Sequence, residues 1–204
     1  MTMYYAHMLS GSEERNQTLQ EHSVNVASLS CQAGKAFHLE NLCALAGYIH
    51  DVGKSSLAFQ EYIYKASHGQ NVKRGSVNHA SAGARYILEN FNHTEDIMAN
   101  LTNDILAEMI ISHHGLKDMI APDGKNMFYQ TCFSEKANYE EAVSYIETYC
   151  DKVKIDDLYD KATKEVSSIY NKICDYLQDE KEIDQKYFFL MCCHSRYAFL
   201  LDFC

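Results

Sequence analysis

Five of the ten histidines fall where a helix would turn them inward. His22, His50, His79, His113 and His114 each lie on, or at the end of, a stretch with apolar residues at helical spacing. One histidine in such a place is ordinarily a satisfied core residue. Five together are costly to bury unless something binds them. Neutral imidazole is the commonest metal ligand, and Asp51, directly after His50, adds a carboxylate whose two oxygens can bridge two cations. The chemistry implied is that of a dinuclear metal site, with one carboxylate shared between two cations.

The elements that must present these residues are read from periodicity. Residues 18–33 place Val26, Leu29 and Ala33 on one face, with His22 a turn before Val26. Residues 41–52 carry Cys43, Ala46 and His50 in register, and Gly53 is placed to end or bend that helix. A helix over 56–66 follows, then the polar loop SHGQNVKRGSVN. Asn78 can cap a helix running to about Asn90, in which His79, Ala82, Gly83 and Tyr86 share a face of mostly small residues. Residues 95–112 repeat Ile97, Leu101, Ile105 and Met109 and run straight into His113 and His114. Helices over 134–150 and 155–178, the latter with Leu158, Ala162, Val166, Ile169, Ile173 and Leu177 in line, read as scaffold. The last segment, YFFLMCCHSRYAFLLDFC, is apolar nearly all round and suits a central buried helix.

One proline and nine glycines in 204 residues leave too few turn punctuators for a sandwich or barrel. The expected fold is all-α, a helical bundle forming one domain over residues 1–204 with the metal site in its core. With 47% hydrophobic and 23% charged residues, the chain is neither disordered nor membrane-spanning. Its formal net charge of −10 argues against coating nucleic acid by bulk electrostatics. Residues 1–134 carry 9 basic and 13 acidic side chains, net −4, against 8 and 14, net −6, over 135–186, so a phosphate site belongs in the first part. None of the eight cysteines forms a C-x-x-C pair, and they read as reduced core residues. The start MTMYYAHMLSGSEER shows no secretory signal, so a cytoplasmic location is expected.

An ordered series of His22, His50-Asp51, His79 and His113-His114, each on its own helix, with Asp202 late in the chain, is similar to the ligand pattern of the HD phosphohydrolase superfamily. Within it the local wording resembles the HD nuclease domain of the CRISPR-associated type I interference nuclease-helicase. The matching strings are YYAH at 4–7, LQEHS at 19–23, LAGYIHDVGKSSLAFQEY at 45–62, NHASAGA at 78–84 and ISHHG at 111–115. The FQEY continuation and the Gly115-Leu116-Lys117 sequence after the histidine pair set the chain apart from the cyclic-dinucleotide phosphodiesterase branch.

The resemblance implies that His22, His50, Asp51 and a late aspartate hold one ion, and Asp51, His79, His113 and His114 the other. Asp202 is the only carboxylate after Asp184; either it is that late ligand or the ligand lies beyond Cys204. Lys54 would bring an ammonium to a phosphate oxygen, or is a solvated lysine near a helix C-terminus. The catalytic pair is then Asp51 and Lys54. The cofactors implied are two divalent transition-metal ions, Mn, Fe, Co or Ni, with Mg possible. The activity implied is hydrolysis of single-stranded DNA in antiviral defence, beside a CRISPR helicase domain or subunit and an RNA-guided target-recognition complex, with no membrane partner. The chain lacks a Walker-type motif, so it is expected to be a stand-alone nuclease subunit or the N-terminal part of a longer nuclease-helicase. The alternative is an HD-type nucleotide phosphohydrolase or phosphodiesterase with the same ligands. A non-enzymatic module is disfavoured by the intact ligand set.

The remaining candidates are weighed lightly. His7 stands behind a ligand or is structural, while His38, His68, His93 and His194 carry no role. Adjacent helical residues diverge by about 100 degrees, so Cys192-Cys193-His194 is no zinc site. Lys73, Arg74, Lys117 and Lys125 could guide a strand or merely keep loops soluble. The fifteen tyrosines read as core and boundary packing.

Overall fold

The computed structural model describes residues 3–9, 16–92, 95–115, 132–133 and 139–177. Among these residues the expected all-α architecture holds: seven α-helices, joined by short 3₁₀ turns, account for nearly all regular structure. They are α1 (Leu19–Gly34), α2 (Glu40–Ile49), α3 (Leu57–Ser67), α4 (Ala80–Asn90), α5 (Ile97–Ile111), α6 (Tyr139–Tyr149) and α7 (Lys152–Leu177). The last helix expected from the sequence lies outside the described residues.

The centre is α2, whose residues Leu42 to Ile49 are all buried. It packs against α1, α5 and α7, and its approach to α1 depends on small residues. A Cβ on Gly47 would meet Ser30 Oγ at 2.9 Å and the Val26 carbonyl at 3.0 Å. The inward stripe of α1 is accordingly Leu19, His22, Ser23, Val26, Ala27, Ser30 and Gly34. Leu29, expected on that stripe, is 46% exposed. The 3.6-residue repeat admits 29 or 30 after 26, and the close contact with α2 selects the smaller Ser30. Ile97 is a second correction: it is 70% exposed because it opens α5 at the rim, directly after the Asp96 cap.

Helix starts are set by side chains. Thr18 and Glu21 form a capping box on α1, and Ser56 Oγ accepts from Phe59 N at the start of α3. The N-cap of α2, Leu39, has no capping side chain. Its free amides are satisfied from 124 residues further along the chain, where Glu165 on α7 accepts from Asn41 N at 3.0 Å and Leu42 N at 2.9 Å. A carboxylate at a helix N-terminus satisfies orphan donors and opposes the macrodipole. Glu165→Ala is therefore expected to lower stability by about 1–3 kcal/mol, read as a shift in denaturation midpoint, with Glu165→Gln recovering part of it. Equal stability of Glu165→Ala and the parent would show that the cap contributes nothing.

The all-α expectation omits one feature. Tyr5–His7 pairs antiparallel with Gln17–Thr18, and Leu19 N donates to Tyr4 O at 2.8 Å. Five residues in two strands carry no readable alternation. The ladder nevertheless sets the position of His7.

Candidate metal centre

The six clustered side chains arrive from five places in the fold. His22 comes from the second turn of α1, and His50 caps the C-terminus of α2. Asp51 follows in a non-helical conformation (φ −107°, ψ 11°) and opens the 3₁₀ turn Val52–Ser55. His79 is the N-cap of α4 rather than its first full residue, with the Asn78 side chain accepting from Ala80 N at 3.0 Å. His113 and His114 sit in the 3₁₀ turn that ends α5. Each ligand candidate thus stands at or beside a helix end, where a change of backbone direction lets side chains from different helices converge.

Asp51 is the hub. It is 2% exposed, and its Oδ2 lies 2.9 Å from His22 Nε2, 3.1 Å from His50 Nε2 and 2.8 Å from Lys54 Nζ. Its Oδ1 faces the other way, 3.4 Å from His79 Nε2 and 3.5 Å from His113 Nε2. His114 Nε2 lies 2.7 Å from His79 Nε2. The ligand atoms therefore form two groups, His22-His50-Asp51 and Asp51-His79-His113-His114, that share one carboxylate.

The residues fit a bound cation by two independent signs. His50 Nδ1 bonds the Gly47 carbonyl at 2.9 Å and His113 Nδ1 the Ile110 carbonyl at 2.5 Å. Carbonyls only accept, so both Nδ1 atoms carry hydrogen and Nε2 is the nitrogen that each ring turns toward the cluster. Asp51 Oδ1 and His113 Nε2 are also buried without a hydrogen bond. A carboxylate oxygen and a ring nitrogen that face each other in the core at 3.5 Å, beyond good hydrogen-bond distance, are atoms a cation would satisfy.

Electrostatics agree. Burial alone would push the Asp51 carboxyl up, but His50, with the ring nitrogens of His113 and His22, holds it well below the usual carboxylate range. Burial lowers His79 to about 3 against the pull of Asp51, with Lys54, His113 and His114 acting in the same direction as burial. His79 is thus neutral in the folded protein at ordinary pH, as a ligand must be. An unfolded histidine titrates near 6.5, so below that pH the unfolded chain binds a proton that His79 in the fold refuses. Stability present at neutral pH is lost on acidification, by about 2 kcal/mol between pH 7 and pH 5 from His79 alone. Metal-free protein is expected to melt roughly 4–8 °C lower at pH 5 than at pH 7; a flat profile would contradict this.

Lys54 is not a solvated lysine. Its side chain is 6% exposed, with the ammonium turned onto Asp51 and 5.6 Å from the Phe59 ring centroid. Gly53 makes the turn possible, since a Cβ there would meet the His79 carbonyl oxygen at 2.2 Å. Sequence reasoning gave no role to Phe59 and Gln60 individually, and both serve the site. Phe59 packs against the His79 ring at 4.8 Å between centroids. Gln60 bonds Tyr5 N, Tyr5 O and Lys54 O at 3.0, 2.9 and 2.7 Å. The FQ pair was the available signal, although which backbone atoms it would meet depends on contacts 55 residues apart in sequence.

His7 lies beside His22, ring centroids 5.0 Å apart. His38 and His68 take no part in either ligand group: His38 ends a 3₁₀ turn at φ 58°, and His68 Nδ1 bonds Tyr64 O at 2.8 Å. Lys73 and Arg74 are exposed. Asp202, Lys117, Lys125, His93, His194, Cys192 and Cys193 lie outside the described residues. The five described cysteines are free thiols. Among the described residues no helix is long and apolar enough to cross a membrane.

A helical bundle that gathers histidines from four helices around one buried aspartate defines a metal-dependent hydrolase site. Residues 19–178 match the HD domain model, well over half the chain, and the chain belongs to that family, whose members are metal-dependent phosphohydrolases. No curated protein matches the chain significantly.

Proposed function

We propose that this HD domain is a metal-dependent nuclease that hydrolyses phosphodiester bonds of single-stranded DNA in type I CRISPR defence, beside a helicase domain or subunit and an RNA-guided target-recognition complex. The observation that carries the hydrolytic part is the division of Asp51 between two ligand groups, Oδ2 toward His22 and His50 and Oδ1 toward His79 and His113. The choice of nuclease among HD hydrolases rests on the resemblance of residues 4–115 in wording.

In this reading His22, His50, Asp51 and Asp202 hold one divalent ion and Asp51, His79, His113 and His114 the second. Five imidazoles favour Mn, Fe, Co or Ni over Mg. When bound, the ions supply Lewis acidity and an activated water for in-line attack on phosphorus. Asp51 would be the ligand shared by both groups, and the bonds of His50 and His113 to backbone carbonyls orient their rings toward the cluster. Lys54, whose ammonium lies 2.8 Å from Asp51 Oδ2, is the cation placed to pair with a phosphate oxygen of the strand. An acidic surface leaves delivery of DNA to the partner assembly.

The test is degradation of circular single-stranded DNA in Mn or Ni against chelator, beside the His50→Ala/Asp51→Ala variant. Metal-dependent cutting lost in the variant supports the proposal. Hydrolysis of deoxynucleoside triphosphates with the polymer left intact would make the protein a nucleotide phosphohydrolase instead.

A further inference from the structure

Next to the cluster, the N-terminal ladder and the first turns of α1 border an open cleft of about 860 Å³ with His7, Gln17, Gln20, Glu21 and Asn25 among its lining. That volume lies within the roughly 300–1,000 Å³ common to small-molecule sites. His7 belongs to both places at once: it lines the cleft and meets the His22 ring nearly edge-on, at 76°. The His7 imidazole therefore links the cleft to a ligand candidate. Its strand is fixed by Gln60, whose carboxamide bonds Tyr5 on β1 (Tyr5–His7) and the Lys54 carbonyl on the turn that carries Asp51.

The lining chemistry is specific in what it offers. Gln17, Gln20 and Asn25 are carboxamides, each with a donor and an acceptor side by side, the pattern that matches the edge of a nucleobase. No lysine or arginine occurs among the described lining residues. Glu21, the one carboxylate among the described lining residues, closes the Thr18 capping box and would repel a phosphate. A cleft of this kind suits the uncharged parts of a nucleotide and leaves phosphate to the cations next door.

We propose that this cleft is a nucleoside subsite, in which a base and sugar of the single strand next to the scissile phosphate lie against His7 with the carboxamides on the base edge. This rests on the nuclease reading above and names how that site grips its substrate. Affinity gained here is non-ionic, so it persists where phosphate contacts are screened.

The experiment is fluorescence-anisotropy binding of a labelled short oligothymidylate in chelator, at about 50 mM and about 200 mM salt, to the full chain and to the Gln20→Ala/Asn25→Ala variant. Both positions are exposed, so the fold is expected to survive, as a melting curve will show. The expected result is a Kd raised about five-fold or more at both salt concentrations, with His7→Ala at least as large. An unchanged Kd, a difference that disappears at the higher salt, or no binding by the parent chain would each overturn the subsite. Binding that behaves as expected while circular DNA stays uncut in Mn or Ni would overturn the nuclease reading and leave the subsite standing.

Discussion

Asp51→Asn is expected to abolish divalent-metal binding by the cluster and with it hydrolysis, a loss of at least about 10³-fold in rate if both ions depend on this side chain. It is also expected to destabilise the metal-free protein. Asparagine keeps the shape of the side chain but not its charge, and Lys54, with its ammonium 2.8 Å from Asp51 Oδ2 and its side chain 6% exposed, would be left as a buried cation without its anion. Breaking a buried pair from one side costs about 3–5 kcal/mol, whereas replacing both partners by uncharged groups is often neutral. The two effects separate in a double variant. Asp51→Asn/Lys54→Met is expected to regain most of the stability and none of the metal, measured by denaturant titration and by metal content after dialysis. A single variant as stable as the parent would show that the Asp51-Lys54 contact contributes little.

Gly53→Ala is the second large effect, and it acts through backbone. The added methyl would stand 2.2 Å from the His79 carbonyl oxygen and 2.9 Å from His79 Cα, so no rotamer change can relieve the overlap. Either the 3₁₀ turn carrying Asp51 and Lys54 or the start of α4 must move. Overpacking ordinarily costs about 1–3 kcal/mol, and a clash between two main-chain segments is expected at or above the top of that range. Because His79 is 3.4 Å from Asp51 Oδ1, the same displacement takes its Nε2 out of the second ligand group. The expected signature is a lower melting temperature together with weakened metal uptake. Gly69→Ala is the comparison: its φ of 70° strains any side chain, yet nothing lies within 4 Å of its Cβ position, so it is expected to cost stability without touching metal uptake.

Much of this centre was legible in the sequence because helices report themselves through spacing. The apolar faces that place His22, His50 and His113 inward are real: each of the three is no more than 8% exposed. The order of the histidines along the chain also matches the two groups they form in space. The errors fall where periodicity carries no information. Leu29 and Ile97 satisfy a helical repeat but lie at the edge of the buried stripe or at a helix rim, where neighbouring elements decide. The ladder of Tyr5–His7 with Gln17–Thr18 is too short for alternation to show. Gln60 and Glu165 act through backbone atoms 55 and 124 residues away, and no local pattern encodes such a partner. Lys54 is a different case. Its position near a helix end permitted a solvated side chain, and only the tertiary placement of Asp51 turns it inward.

The dependence of α2 on Glu165 gives the molecule an order of completion. Every described ligand candidate, His22 through His114, leaves the ribosome before residue 165 does. Until then the amides of Asn41 and Leu42 lack the carboxylate that accepts from them in the finished fold. Chains fold from the N-terminus as they are made, but here the part that carries the reactive groups is capped by a residue made later. A nascent chain that has not yet reached α7 therefore lacks the carboxylate that caps the helix leading to His50 and Asp51.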